Sequence, residues 1–270
     1  MNTTFIGGGN MAQAIAGGLI KKGFDAASIC AVEPLAAARE RLVAQFGVRV
    51  VGSVADALPL GDLVVMAVKP QQMHEAAESI KAHIAGSLVL SIAAGTRLGD
   101  LQRWLGGHAL LARCMPNTPA LVGEGITGLY CSEAASPSQR RMAVELLQAV
   151  GQVIEVDSEA LLDPVTAVSG SGPAYVFLFI EALQRAAKEL GLSSQQARAL
   201  AIQTFTGAAR LAAESSDEVG VLRERVTSKG GTTERALTSM RDDKVVESIV
   251  RAIHAANARA GELGDQLGKD

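Results

Sequence analysis

FIGGGNMAQAIAGGL, residues 5–19, carries an apolar strand pattern into a helical one through Gly7-x-Gly9-x-x-Ala12. Glycines in that context have a defined use. The first permits the tight turn, the second lets a pyrophosphate approach the backbone, and the small Ala12 lets helix pack on strand. The phosphates then lie on the positive N-terminal end of the helix. Ile6, Gly7, Gly8, Gly9, Asn10, Met11 and Ala12 are therefore candidate dinucleotide-binding residues. A bare strand–turn–helix is the plainer alternative, and the agreement of strand, spacing and following helix argues against it.

Working outward, short β-rich runs recur at 3–9, 28–33, 62–68, 87–94 and 110–115, with helical spacing between them, as in 10–23 and 35–47. Continuous apolar strands alternating with helices predict a mostly parallel sheet with helices on both faces. ITGLYC (126–131) and QVIEVD (152–157) flank a helix at 137–150 and extend the sheet. After residue 158 the strand signal stops. Helices are expected at 172–191, 193–215 with Ser193 as N-cap, 217–226 and 244–266. The fold class is α/β: a Rossmann-like domain over 1–157, followed by an all-α domain over 158–270. The first helix of the second part begins GPAYVFLFIEAL and is apolar almost all round, so it must be covered.

The whole chain sets bounds. It has 270 residues, net charge −3 and 20% charged residues, with no basic run, which gives no electrostatic reason to expect nucleic acid. Cys30, Cys114 and Cys131 form no CxxC or ligand cluster, so no metal site is expected. The N-terminus lacks the pattern of a signal peptide. AYVFLFI (174–180) is too short to span a bilayer. A soluble cytoplasmic protein follows. His74, His83, His108 and His254 sit in no constellation.

Three strand ends bear on the cofactor. Glu33, about 20 residues beyond the glycines, is placed to take a ribose 2′-hydroxyl, and its charge would repel a 2′-phosphate. That favours NADH over NADPH; a solvent-facing glutamate before Pro34 is the alternative. Ala67, Val68, Lys69 and Pro70 in AVKPQ end one strand, and Ala93, Ala94 and Gly95 in SIAAG end the next. Ligands of open α/β sheets bind at such carboxyl ends.

RVTSKGGTTERAL (225–237) is the other unusual stretch. Two glycines and a run of hydroxyls lead into a helix start, where free amides and the helix dipole favour an anion. Gly230 and Gly231 let successive N–H groups converge, and the amides of Gly231, Thr232 and Thr233 are the candidate anion ligands. Taken alone, the loop reads more readily as a glycine turn with a threonine N-cap.

FIGGGNM, AVKPQ, SIAAG, RCMPNTPA, VSGSGPAYVF and VTSKGGTTERAL together resemble pyrroline-5-carboxylate reductase, from residue 3 to about residue 260. The resemblance implies a Rossmann-like domain plus a helical domain that interleaves with a second subunit, as a homodimer and in some relatives a decamer. It implies reduction of the C=N bond of Δ1-pyrroline-5-carboxylate to L-proline with NADPH or NADH. The anion of the late loop is then the substrate carboxylate. Thr233 matches a residue that contacts substrate and is a candidate proton donor, and Ser228 matches a serine of the same loop. Glu159 and Arg225 are implied to lie near the substrate, and Asn117 is expected to orient the nicotinamide side. Ser171 and Pro173 in SGSGPAY read as helix initiation or as pocket lining. Lys229 stands where many relatives have proline. Glu33 and Val54 stand where NADP-preferring relatives have a small hydroxyl residue and an asparagine.

Other readings remain on the same architecture. An imine reductase of different substrate or a β-hydroxyacid dehydrogenase is the runner-up; the latter would want a lysine early in the helix from 172, whereas Lys188 lies near its far end. A nucleotide-binding module without catalysis would not need the second anion loop.

Overall fold

All five apolar runs of the first half become strands, four of them buried along their full length and the fifth at every residue but Met115. β1 (Thr3–Ile6), α1 (Asn10–Lys21), β2 (Ile29–Val32) and α2 (Ala36–Phe46) lead into an edge strand, β3 (Arg49–Val51), which is half exposed and too short for the apolar-run signal. α3 (Val54–Ala57), β4 (Leu63–Met66), α4 (Met73–Ile80), β5 (Leu88–Ser91), α5 (Leu98–Trp104) and β6 (Leu111–Met115) follow. Then come β7 (Gly125–Cys131), α6 (Pro137–Gln148), β8 (Gly151–Glu155) and α7 (Leu162–Val165). The rest is helical: α8 (Gly172–Glu189), α9 (Ser194–Glu214), α10 (Val219–Arg225), α11 (Thr232–Asp242) and α12 (Val245–Leu267). This computed structural model describes residues 1–268.

The strands form one sheet in the order β3-β2-β1-β4-β5-β6-β7-β8. Every pairing is parallel except β6 with β7. Alternate residues feed opposite faces, as strand geometry requires. Phe5, Val65, Leu88 and Leu90 join a cluster with Ile15 and Leu19 of α1, while Ile6, Val64, Met66 and Val89 join one with Met73, Ile80 and Leu101. β2 departs to one side of β1 and β4 to the other, so the strand order reverses there and opens a crevice at the carboxyl ends.

The chain forms two compact units, residues 1–171 with Ala256 onward, and Gly172–Ala255. This differs from the expected break at 157/158. The residues between are held to the sheet by packing: Leu162 and Ala167 are fully buried, and Val165 fills the space left by the missing side chain of Gly128. A π-helical turn at Thr166–Gly170 joins α7 to α8, and Gly170 leaves room there for Met115.

The second unit has little interior of its own. α8 packs on α9, whose start carries the expected Ser193 cap in a reciprocal bond with Gln196. Yet only Ala197 and Ala201 among its hydrophobic residues are buried, while Phe177, Leu178, Leu200, Leu211 and Val219 are exposed. The helical run Glu159–Glu189, with mean hydropathy 1.2, is long and apolar enough to cross a membrane by length and composition alone.

Candidate functional site

The glycine loop is built for close backbone approach. Gly7 has φ +104°, and a Cβ there would lie 2.7 Å from the Ala67 carbonyl oxygen at the end of β4. Its N–H donates to the Val32 carbonyl, and Ala67 N–H donates to the Ile6 carbonyl, which closes the crevice floor across β2, β1 and β4. Ile6 itself is core, so only its backbone serves the site. Gly9 is the N-cap of α1, without a capping side chain, and the first intrahelical bond runs from Gln13 N–H to the Gly9 carbonyl. The amides of Asn10, Met11 and Ala12 precede that bond and are open to an anion. Ala12 is buried against the sheet, as its small size anticipated.

Glu33 faces this loop. One carboxylate oxygen accepts from Gly8 N–H at 3.0 Å and the other from Leu35 N–H at 3.0 Å. Arg39 donates to the carbonyls of Glu33 at 3.0 Å and Pro34 at 2.7 Å, which stiffens the turn. A negative charge is thus fixed at the rim of the crevice. Val54 opens α3 and packs on the second core cluster, so it offers no polar group.

At the neighbouring strand ends, Lys69 is exposed and Val68 and Pro70 are half-buried. In SIAAG the expected room for a cofactor narrows. The Ala93 side chain lies in the core, and the missing side chain of Gly95 (φ +81°) accommodates Leu267 of α12; Ala94 alone is exposed. Asn117 is also committed elsewhere: its amide donates to the Ser169 carbonyl at 3.2 Å and its oxygen accepts from Ile126 N–H at 3.0 Å. It pins the MPNTPA turn to β7 and the π turn.

The late loop lies in the second unit. Gly230 has φ +74°, and its N–H donates to Glu234 at 2.7 Å. Gly231 caps α11 without a capping side chain, and its own N–H closes the turn onto the Ser228 carbonyl at 3.0 Å. The Gly231 amide is therefore spent, a correction to the expected trio. Thr232 and Thr233 keep open first-turn amides. Arg225 pairs with Asp217 at 2.5 Å on the surface. Glu159, implied to lie near substrate, accepts instead from Arg113 at 2.9 Å and from Leu98 N–H at 2.8 Å within the first unit.

The thiols carry no chemistry. Burial raises all three; Cys131 is pushed up to about 11, and Cys114 rises further because Cys131 adds to the effect of burial. They stay protonated and unpaired near neutral pH.

The comparisons agree with this division of labour. Residues 2–95 match the family described as NADP oxidoreductase coenzyme F420-dependent, and residues 159–263 match that described as pyrroline-5-carboxylate reductase dimerisation. The chain is 44% identical to the pyrroline-5-carboxylate reductase of Pseudomonas aeruginosa over 98% of this chain and 97% of that protein. A solved pyrroline-5-carboxylate reductase from Coxiella burnetii superposes with a TM-score of 0.93 at 42% identity, over 97% of this chain and 98% of that one. The NADP-bound Plasmodium falciparum enzyme gives 0.86 at 28% identity, covering 98% of each chain. A prephenate dehydrogenase from Aquifex aeolicus, at 16% identity and a TM-score of 0.56, shares the fold alone. Identity at this level over nearly the full length of both chains shows that the chain belongs to the pyrroline-5-carboxylate reductase family.

Proposed function

We infer that this chain reduces the C=N bond of Δ1-pyrroline-5-carboxylate to L-proline, the last step of proline biosynthesis, with a reduced nicotinamide dinucleotide. The observation that carries the reading is a pair of uncapped helix starts behind glycine turns, one at Gly9 and one at Gly231, in a chain of this family. A dinucleotide pyrophosphate suits the first and a small ring carboxylate suits the second.

The chemistry asks for little beyond positioning. A bound nicotinamide supplies the hydride. Asn10, Met11 and Ala12 hold the pyrophosphate with backbone amides, and Thr232 and Thr233 hold the substrate carboxylate. The ring nitrogen must gain a proton for hydride to add at the imine carbon, so placing the ring, supplying that proton and excluding water lower the barrier. Thr233 Oγ1 is the proposed proton donor to the ring nitrogen, with Ser228 beside it in the loop. Thr233→Ala should lower kcat by about 100-fold, the lower range for general acid catalysis, with cofactor affinity unchanged. Thr233→Ser should restore most of the loss. Steady-state kinetics beside cofactor titration reads both; an unchanged kcat removes Thr233 from the mechanism.

The reading is tested by initial rates on pyrroline-5-carboxylate with NADH and with NADPH. Glu33, held by Gly8 and Leu35, supports a higher kcat/KM with NADH. Glu33→Ser should shift the ratio toward NADPH by at least about tenfold, ~1.4 kcal/mol. A wild-type preference for NADPH would mean that other groups take the 2′-phosphate. Self-association follows from the dimerisation region, and we propose a homodimer as its unit. A cytoplasmic location fits three unpaired thiols.

A further inference from the structure

We propose that Glu159 is a positioning residue for the cofactor, acting through the loop 92–97 that follows β5. This rests on the reading above that the carboxyl ends of the strands hold the dinucleotide. The loop has almost no hydrogen bonding of its own. Ile92 N–H reaches Met66 at 3.3 Å and Ala93 N–H reaches Ser91 Oγ at 3.4 Å, both at the strand end. Ala94 and Gly95 form a tight turn, and the Thr96 hydroxyl is buried without a partner. Its middle is held by packing, with Ala93 in the core and Gly95 against Leu267, and its hydrogen bonds lie at the ends.

The far end is held by Glu159. A single oxygen, Oε1, accepts from Leu98 N–H at 2.8 Å and from Arg113 Nη1 at 2.9 Å. Arg113 is in β6 opposite Ser91, the last residue of β5, and its side chain is only 5% exposed. A buried guanidinium requires a carboxylate, so it fixes Glu159, and Glu159 in turn fixes Leu98 relative to the strand end. Asp163 stands 3.8 Å from the other arm of Arg113. Arg97, the residue before Leu98, reaches Asp265 at 2.7 Å and the Gly261 carbonyl at 3.3 Å on α12. A charge relay from β6 therefore sets where Ala94 sits, and Ala94 is the exposed residue at that strand end.

The test is calorimetric titration of NADH and NADPH into the full-length wild type, Glu159→Ala, Glu159→Gln and Val165→Ala, beside each variant's thermal midpoint and its KM and kcat. Val165→Ala loosens the same segment without touching the loop. Cofactor Kd and KM should rise about tenfold in Glu159→Ala, as expected for loss of a hydrogen bond to a charged group. The rise should be smaller in Glu159→Gln, which keeps an acceptor for Leu98. Val165→Ala should lose thermal stability while its cofactor Kd stays within about twofold. Equal Kd changes in Glu159→Ala and Val165→Ala, or an unchanged Kd in Glu159→Ala, would overturn the proposal and leave the proposed reaction intact. Failure of the wild type to bind either cofactor would overturn both.

Discussion

Gly7→Val is expected to abolish nicotinamide cofactor binding, with Kd rising at least about 100-fold. Two costs act together. A φ of +104° is open to glycine and strained for a β-branched residue by roughly 1–2 kcal/mol or more. The new Cβ would also sit 2.7 Å from the Ala67 carbonyl oxygen and 3.1 Å from Val68 Cγ1. Neither neighbour can retreat, because Ala67 N–H is bonded to Ile6 within the sheet floor. The loop must move outward, into the space a pyrophosphate would take. Gly47→Ala separates strain from clash. Gly47 has φ +66° with nothing near its absent side chain, so alanine there should cost about 1 kcal/mol of stability and leave cofactor affinity unchanged. NADH fluorescence titration and thermal unfolding of both variants decide it; tight binding by Gly7→Val would remove the glycine loop from the cofactor site.

Phe177→Glu is expected to break the self-associated state and unfold much of the second unit. Residues 172–255 have only Ala197 and Ala201 as buried hydrophobic residues, whereas Phe177 is 60% and Leu178 65% exposed on α8. A helical unit of that size cannot offset its conformational entropy with two buried alanines. Its apolar faces call for a cover, the match of 159–263 to a dimerisation family supports self-association, and we propose a second copy as that cover. Burying a phenylalanine is worth ~1.5–3 kcal/mol, counted twice across a two-fold interface, so the charge should weaken association by about 10³-fold or more. Light scattering at micromolar concentration should give twice the 27.9 kDa chain mass, or a multiple of it for a decamer, and the variant should fall to one chain with reduced helicity. A wild type that scatters as a single chain would refute the dimer outright.

Much of the fold was legible because the signals are local. Five apolar runs bounded by helical spacing specify strands whatever their neighbours, and β1, β2, β4, β5 and β6 all appear where those runs lie. The glycine spacing specified a turn, Ser193 specified a helix start, and the apolar start of the helix from 172 specified a face that must be covered. β3 escaped notice because three half-exposed residues carry too little pattern.

The sequence by itself determined the layered α/β half, the helical half, the two glycine-preceded helix starts and the excess of apolar residues on the helical half. Each follows from residues within one turn or one strand of each other. Only the tertiary structure decided where polar side chains spend their hydrogen bonds. Glu159 is bound to residues 46 and 61 positions away, Asn117 bridges to Ser169, and Arg97 reaches α12 across 164 positions. Ala93 turns inward and Gly95 yields its space to Leu267. A carboxylate or amide in a sequence has the same donors and acceptors wherever it lies. Its partner is chosen by sheet order and helix packing, which bring distant positions within hydrogen-bond reach and leave open only the amides that no neighbour can reach.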